Sequence, residues 1–277
     1  MKKWVNDHKE RPSGRDGFAS AGLLLRGKAN GAVKDYKAYT ERVYRKRVGS
    51  SGLVNFEVAV KETDLLVSAD RNFEKEVRDL VFDSRHQIES YIGSHPEFLT
   101  TLEPYPDDPF APPVVREMVE CTKGFGVGPM ASVAGAIAQF VGTRLLRWSK
   151  EVIVENGGDI FLKTERPVTV SLFAGKSPLS EKLGLVISPG QMPLGVCSSS
   201  GTVGHSFSTG KADVACILGL SATLADGAAT ALCNKIQGRK DLDRIAEWAT
   251  AMKGVTGVLV ILGDAMATWG QIELTAL

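Results

Sequence analysis

Two oxygen-bearing side chains on one helical face are the first sign of chemistry in this chain. Segment 221–232 reads Ser-Ala-Thr-Leu-Ala-Asp-Gly-Ala-Ala-Thr-Ala-Leu, with Asp226 and Thr230 four residues apart. On a helix that spacing projects a carboxylate and a hydroxyl from the same side. Most of their neighbours are Ala and no basic residue is near in sequence, so a buried Asp226 requires a cation or hydrogen bonds. Two oxygen ligands one turn apart suit Mg²⁺, which keeps waters and takes phosphate oxygens as its other ligands. The same stretch also fits a helix cap, because Thr223-Leu-Ala-Asp226 has the Ser/Thr-x-x-Asp/Glu form. On local pattern alone the cap is the commoner use.

Two further segments carry candidate groups. Cys197-Ser-Ser-Ser-Gly-Thr-Val-Gly-His205 offers successive N–H and hydroxyl donors at Ser199, Ser200, Gly201 and Thr202, the makings of an anion-binding concavity. No Gly-Lys-Ser/Thr follows, so it is not a Walker loop, and it lacks the Gly-x-Ser-x-Gly of a nucleophile elbow. Its plain reading is a Ser/Gly surface turn. His205 could activate Cys197 as a thiolate, or Cys197 could be an inert core thiol. In Glu155-Asn156-Gly157-Gly158-Asp159, Asn156-Gly157 predicts a hairpin turn. That leaves Gly158 and Asp159 over, a small residue beside an acid where a ligand can approach closely. Gly124, Gly126 and Gly128 ahead of Pro129 either present N–H donors at a helix start or let the chain turn.

The elements that must position these groups follow from periodicity. Strands are expected at 36–48, 53–60 and 63–69, the second alternating Val54, Phe56, Val58 and Val60 against Asn55 and Glu57. Helical spacing of Phe73, Val77, Leu80, Val81, Ile88, Tyr91 and Ile92 predicts a helix over 72–93. A Pro-rich loop then leads to Pro113, well placed in the first turn of a helix through Cys121, and a second helix covers 129–146. The second half predicts a hairpin over 151–163 and strands at 168–173, 183–187, 192–197 and 214–218. Helices at 222–236 and 242–252 follow, then strands at 257–262 and 267–274. Runs of strands followed by paired helices in both halves argue an α+β fold with largely antiparallel sheets, in two sheet-and-helix layers. The expected organisation is a partly mobile tail over 1–35 and a single domain over 36–277 into which the basic N-terminal strands pack.

Composition narrows the function classes. The 277 residues are 43% hydrophobic, with 33 basic against 32 acidic side chains, which excludes disordered, collagen-like and coiled-coil chains. A net charge of +1 lacks the basic excess of a nucleic-acid binder, so nucleic acid is not an expected partner. Charge is uneven, however. Residues 1–50 hold 13 Lys or Arg against 5 Asp or Glu, with Arg42, Arg45, Lys46 and Arg47 among Tyr36, Tyr39 and Tyr44. Such a patch could meet phosphates, though a solvated strand face explains it as well. Cys121, Cys197, Cys216 and Cys233 are widely spaced without a CxxC pair, and read as reduced thiols. No apolar run reaches the ~20 residues that cross a bilayer, and no signal-peptide pattern is evident. The expected location is the cytoplasm.

Taken together, Asn-Gly-Gly-Asp, then Ser-Gly-x-x-Gly-His, then Ala-Asp-x-x-x-Thr-Ala on a helix, the chain resembles the ApbE-like superfamily from about Gly124 to Ile236. The best-known members are FAD:protein FMN transferases, historically labelled thiamine-biosynthesis proteins. Tyr39–Val48 and Lys61-Glu-Thr-Asp-Leu65 look like a shorter, cytoplasmic branch. The resemblance implies that Asp226 and Thr230 are magnesium ligands, joined by a backbone carbonyl within 128–135, and it reverses the preference for the cap. It implies FAD or FMN as cofactor and a small-molecule flavin or nucleotide as ligand, with a protein as a further partner. On this reading Asn156, Gly157, Gly158, Ser199, Ser200, Gly201 and Thr202 bind the cofactor, while His205 and Asp159 serve catalysis. The implied activity is Mg-dependent FMN transfer or FAD pyrophosphatase-like hydrolysis. Two family features are absent: the helix over 130–142 has no lysine, and Ser206-Phe-Ser-Thr-Gly210 stands where transferases carry Asp-Pro-Arg-Thr-Gly. The second reading that the resemblance implies is a non-catalytic or persulfide-carrying accessory protein in anaerobic sulfur assimilation (homocysteine formation), using Cys197 or Cys121.

Overall fold

Nearly unbroken apolar runs mark the strands at the centre of the fold. A computed structural model describes residues 52–202 and 208–277. The expected tail, the 36–48 strand, the basic patch and His205 lie outside them. Eleven strands and five α-helices are assigned among the described residues. β1 (Val54–Val60), β2 (Thr63–Ala69), β3 (Val152–Asn156), β4 (Asp159–Lys163), β7 (Leu194–Ser199), β8 (Val214–Gly219), β9 (Val255–Leu262) and β10 (Ala265–Gly270) form one sheet in that order. Every adjacent pair is antiparallel. β5 (Val168–Ser171), β6 (Leu183–Ile187) and β11 (Leu274–Ala276) make a second, three-stranded sheet.

The large sheet is covered on both faces, which explains the apolar runs. Val152, Val154 and Phe161 join a core with the helices, whereas Ile153, Ile160 and Leu162 join a second core with Val170, Leu185 and Ile187 of the small sheet. The architecture is therefore α+β as expected, but in three layers: helices, eight strands, three strands. The third layer was not foreseen, because β5 and β6 are too short for their pattern to reveal which surface they cover.

The helical layer consists of α1 (Glu74–Ser94), α2 (Pro113–Lys123), α3 (Val133–Leu145), α4 (Ala222–Lys235) and α5 (Ile245–Ala251). α1 buries Val77, Val81, Ile88, Tyr91 and Ile92, the face its spacing predicted. The helix expected over 129–146 is broken: Pro129–Ser132 winds as a 3₁₀ turn, and α3 begins only at Val133. The 3₁₀ turn is closed by the Ala131 amide and the Ser132 hydroxyl, which donate to the carbonyls of Gly128 and Pro129. Likewise 239–244 is 3₁₀ and α5 starts at Ile245. α3 and α4 approach closely where Gly135 faces the chain at Ala222. A Cβ on Gly135 would lie 2.3 Å from the Ala222 carbonyl oxygen and 2.7 Å from the Asp226 Cβ.

Candidate functional site

Asp226 sits in the middle of α4, and its own helix does not use it as a cap. The N-cap is Ser221, whose side chain accepts from the Leu224 amide. Thr223 instead donates to Glu117 Oε1 at 2.7 Å. The Thr223–Asp226 capping reading is therefore corrected: Ser221, immediately before the first helical residue, is the better-placed oxygen.

What Asp226 does meet is the broken start of α3. In an unbroken α-helix the Gly135 amide would donate to the Ala131 carbonyl, four residues back. Here the Gly135 amide donates to Asp226 Oδ2 at 2.9 Å, and Ala131 O accepts from Thr230 Oγ1 at 3.4 Å. The i, i+4 pair on α4 thus spans the i, i+4 break at the start of α3. One carboxylate, one hydroxyl and one backbone carbonyl meet there.

The sheet supplies the other wall. Asn156 and Asp159 face each other across the β3–β4 turn, on the helix side of the sheet like Val154 and Phe161. Asn156 Nδ2 donates to the Ala134 carbonyl at 3.0 Å. Asp159 Oδ1 accepts from the Ser198 amide of β7 at 3.3 Å. Gly157 and Gly158 are the two central residues of the turn, with φ of +68° and +103°. Such values suit the two-residue hairpin turn and favour glycine. Gly158 serves the turn, its amide donating to Glu155 Oε1 at 2.8 Å, and nothing lies within 4 Å of where its Cβ would be. The turn lies one residue later than the Asn156-Gly157 signal placed it.

Cys197 lies in a strand as expected, but that strand runs two residues further than expected, through Ser198 and Ser199. The three belong to β7, paired with Ile217, Cys216 and Ala215 of β8, and not to a Ser/Gly turn. Alternation puts Ser199 on the same face as Cys197, toward α4. The Ser199 hydroxyl is buried without a hydrogen-bond partner among the described residues, which is uncommon for a buried oxygen. Ser200 and Gly201 follow the strand. Thr202 is tied to Asp213 Oδ1 at 3.1 Å. The structure thus gathers Asp226, Thr230, Asn156, Asp159 and Cys197 at one junction, with Ser199 on the same face of β7 as Cys197.

Charge at this junction is unbalanced. Among the described residues neither Asp159 nor Asp226 forms an ion pair with Lys, Arg or His. Burial pushes the Asp226 carboxyl up to about 7, against the opposing pull of the Gly135 and Ala134 amides. Burial and then the neighbouring Asp226 charge hold Asp159 well above the usual carboxylate range. The thiols behave likewise: burial raises Cys197 well above its ordinary value, with Asp159 and Asp226 adding to the shift, and burial with Glu117 takes Cys121 to about 12. A reactive thiolate requires the opposite shift.

The resemblance implied a backbone carbonyl within 128–135, and Ala131 O lies in that range. What sequence reasoning missed is the helix break that frees Ala131 O and the Gly135 amide from each other. The only available signal was Pro129, which marks where a helix can start but not where the α-ladder begins. Among the described residues no group of three or more His, Cys, Asp or Glu side chains is arranged to hold a metal. A cation here would depend on Asp226 together with hydroxyl and carbonyl oxygens.

Known proteins similar to this chain identify its family and fold. The family model described as AbpE bacteria matches residues 45–268. A UPF0280 protein of Methanocella arvoryzae is 42% identical over 214 residues, covering 77% of this chain and 87% of that one. A UPF0280 protein of Methanocaldococcus jannaschii is 37% identical over 221 residues, covering 78% and 90%. Among solved structures, the flavin transferase ApbE of Vibrio cholerae is similar with a TM-score of 0.53 at 12% identity, covering 78% of this chain and 96% of that one. The apo flavinyl transferase ApbE of Pseudomonas stutzeri gives 0.51 at 14% identity, covering 78% and 93%. At such identities the structural likeness establishes the fold.

Proposed function

This chain belongs to the ApbE-like superfamily, through the family described as AbpE bacteria, and from that membership we propose that it binds a flavin or nucleotide diphosphate with Mg²⁺ and transfers or hydrolyses at the pyrophosphate. The observation that carries the proposal is the pairing of Asp226 and Thr230 with the broken start of α3, beside a second buried carboxylate and no basic partner among the described residues. Buried carboxylates pushed this far from their ordinary range are common where a cation or a proton is handled.

The donor set fits the metal. Asp226, Thr230 and the Ala131 carbonyl are all hard oxygen donors, and Mg²⁺ prefers such oxygens with waters and substrate phosphates completing its shell. When bound, it would supply charge neutralisation along the phosphate chain. The chain's own residues do the rest. The unpartnered Ser199 hydroxyl is available to a phosphate oxygen. Asp159, whose carboxyl burial holds well above the usual carboxylate range, is the described group best suited to deliver a proton to a departing phosphate oxygen. Asn156 holds the Ala134 carbonyl and so steadies the start of α3. His205 is the remaining catalytic candidate.

The helix over 130–142 has no lysine and 206–210 no arginine, so among the described residues of this junction the ligand's negative charge is left to the metal, hydroxyls and backbone N–H groups. The sulfur-carrier reading gains nothing from the site, because Cys197 is fully enclosed and neither it nor Cys121 is poised as a thiolate. Incubation with labelled FAD and Mg²⁺ tests the activity. Release of FMN with AMP, or a flavin-labelled acceptor protein, is expected. A chain that yields none of these is not the enzyme proposed.

A further inference from the structure

The end of β7 is fastened to the same helix that carries Asp226 and Thr230, one turn further on. Asn234 lies four residues beyond Thr230, near the C-terminal end of α4. Its Oδ1 accepts three hydrogen bonds, from the Thr209 amide at 2.8 Å, Ser208 Oγ at 3.0 Å and Thr209 Oγ1 at 3.2 Å. Gln237 Nε2 adds a second tie, donating to the carbonyls of Asn234 at 3.0 Å and Thr209 at 3.3 Å.

The next residue brings three stretches of backbone together. A Cβ on Gly210 would lie 1.7 Å from the Cys233 carbonyl oxygen, and a Cβ on Gly201 would lie 1.8 Å from the Gly210 carbonyl oxygen. Helix end, Gly210 and Gly201 are therefore stacked with no side chain between them. The Lys211 amide donates to Ile236 O at 2.8 Å and the Gly201 amide to Ala212 O at 3.0 Å, which locks the stack in register. Glycines permit the approach but specify no position along the helix. The side-chain oxygen that collects three donors from 208–209 does specify one.

We infer that Asn234 is a positioning residue. Through Thr209 and Gly210 it sets where Gly201, and with it Ser200 just beyond the end of β7, stands relative to Asp226 and Thr230. It thereby governs affinity for the pyrophosphate-bearing ligand but not for the metal alone. The inference rests on the reading of this site as a Mg²⁺–pyrophosphate site. It adds to that reading a residue that touches neither group.

The test uses Asn234→Leu, which keeps approximate size but removes the acceptor, and Asn234→Asp, which keeps acceptor oxygens. Binding of FAD in the presence of Mg²⁺ is measured by calorimetry, and the melting shift caused by Mg²⁺ alone is measured separately. Asn234→Leu should weaken FAD binding ~10-fold or more, the equivalent of about one or two lost hydrogen bonds. Its Mg²⁺-induced melting shift should equal that of the unaltered protein, and Asn234→Asp should recover most of the affinity. If Asn234→Leu does not fold, the pair Ser208→Ala with Thr209→Val removes two of the three donors and is held to the same expectation. FAD affinity unchanged in the folded variants overturns the inference. So does a loss of FAD and Mg²⁺ responses in parallel, the mark of a general structural role. An unaltered protein that binds no FAD with Mg²⁺ overturns the functional reading itself, before any Asn234 variant is compared.

Discussion

Replacing Asp226 with Asn is expected to abolish the response of the melting temperature to Mg²⁺ while leaving the metal-free protein as stable as before, or more so, at pH 8. Asp226 has a carboxyl raised to about 7 in the folded chain from an ordinary 3.8. A raised value means that the folded state holds the proton more tightly, so the stability tied to it is complete below pH ~4 and is lost as pH rises through 7. At pH 8 the metal-free protein therefore carries a buried, unpaired charge that the Asn variant lacks. We expect that relief to be on the order of 2 kcal/mol, short of the full shift because Asn meets the Gly135 amide with an uncharged and weaker acceptor and must itself bury an amide NH₂. Metal-free melting temperatures should fall between pH 5 and pH 8 for the unaltered protein and much less for Asp226→Asn. With metal present, stabilisation follows RT ln(1 + [L]/Kd), about 2.7 kcal/mol at a hundredfold excess over Kd, and it should vanish in the variant. Protons and Mg²⁺ compete for the same oxygens, so that stabilisation should also grow with pH through 7. If Asp226 serves only to cap α3, the variant should instead lose up to ~1 kcal/mol with or without metal.

Gly135→Ala should be among the most damaging single-methyl changes in the chain. The added carbon would lie 2.3 Å from a backbone oxygen of α4 and 2.7 Å from the Asp226 Cβ, so the two helices must separate. Helix propensity favours Ala by ~1 kcal/mol, but overpacking against an unyielding backbone costs about 1–3 kcal/mol or more. The separation also pulls Asp226 from the Gly135 amide. The net expectation is a loss of ~2 kcal/mol in denaturant melts. Gly93, in the last turn of α1, is the matched control, because nothing lies within 4 Å of its would-be Cβ. Gly93→Ala should gain up to ~1 kcal/mol. Equal effects at the two positions would contradict the close helix approach on which the site is built.

Much of this arrangement was legible where side-chain type carries the signal. β2 and β6 fall on the expected residues, since apolar spacing and flanking turn residues bound them on both sides. Asp226 and Thr230 stood out because two oxygens at i, i+4 among alanines are conspicuous, and the helix they ride on runs nearly as expected. The hairpin turn slipped by one residue, because Asn-Gly is a strong signal and a second Gly beside it makes two registers look alike. The Ser-rich segment beyond Cys197 was read as a turn although Ser198 and Ser199 are strand, since Ser has little preference between the two. The break at Ser132 was invisible for a deeper reason. Whether the Gly135 amide bonds within its own helix or to Asp226, 91 positions away, depends on tertiary contacts that no local pattern encodes. Asn234 was missed in the same way: its partners lie 25 and 26 residues earlier in the chain.

The central claim is that this junction takes up Mg²⁺ together with a flavin or nucleotide diphosphate. Thermal melting of the unaltered full-length chain at pH 8, in metal-free buffer, with millimolar Mg²⁺, and with Mg²⁺ plus FAD, tests it most directly. The melting temperature should rise with Mg²⁺ alone and rise further with Mg²⁺ and FAD together. A melting temperature indifferent to both would contradict it.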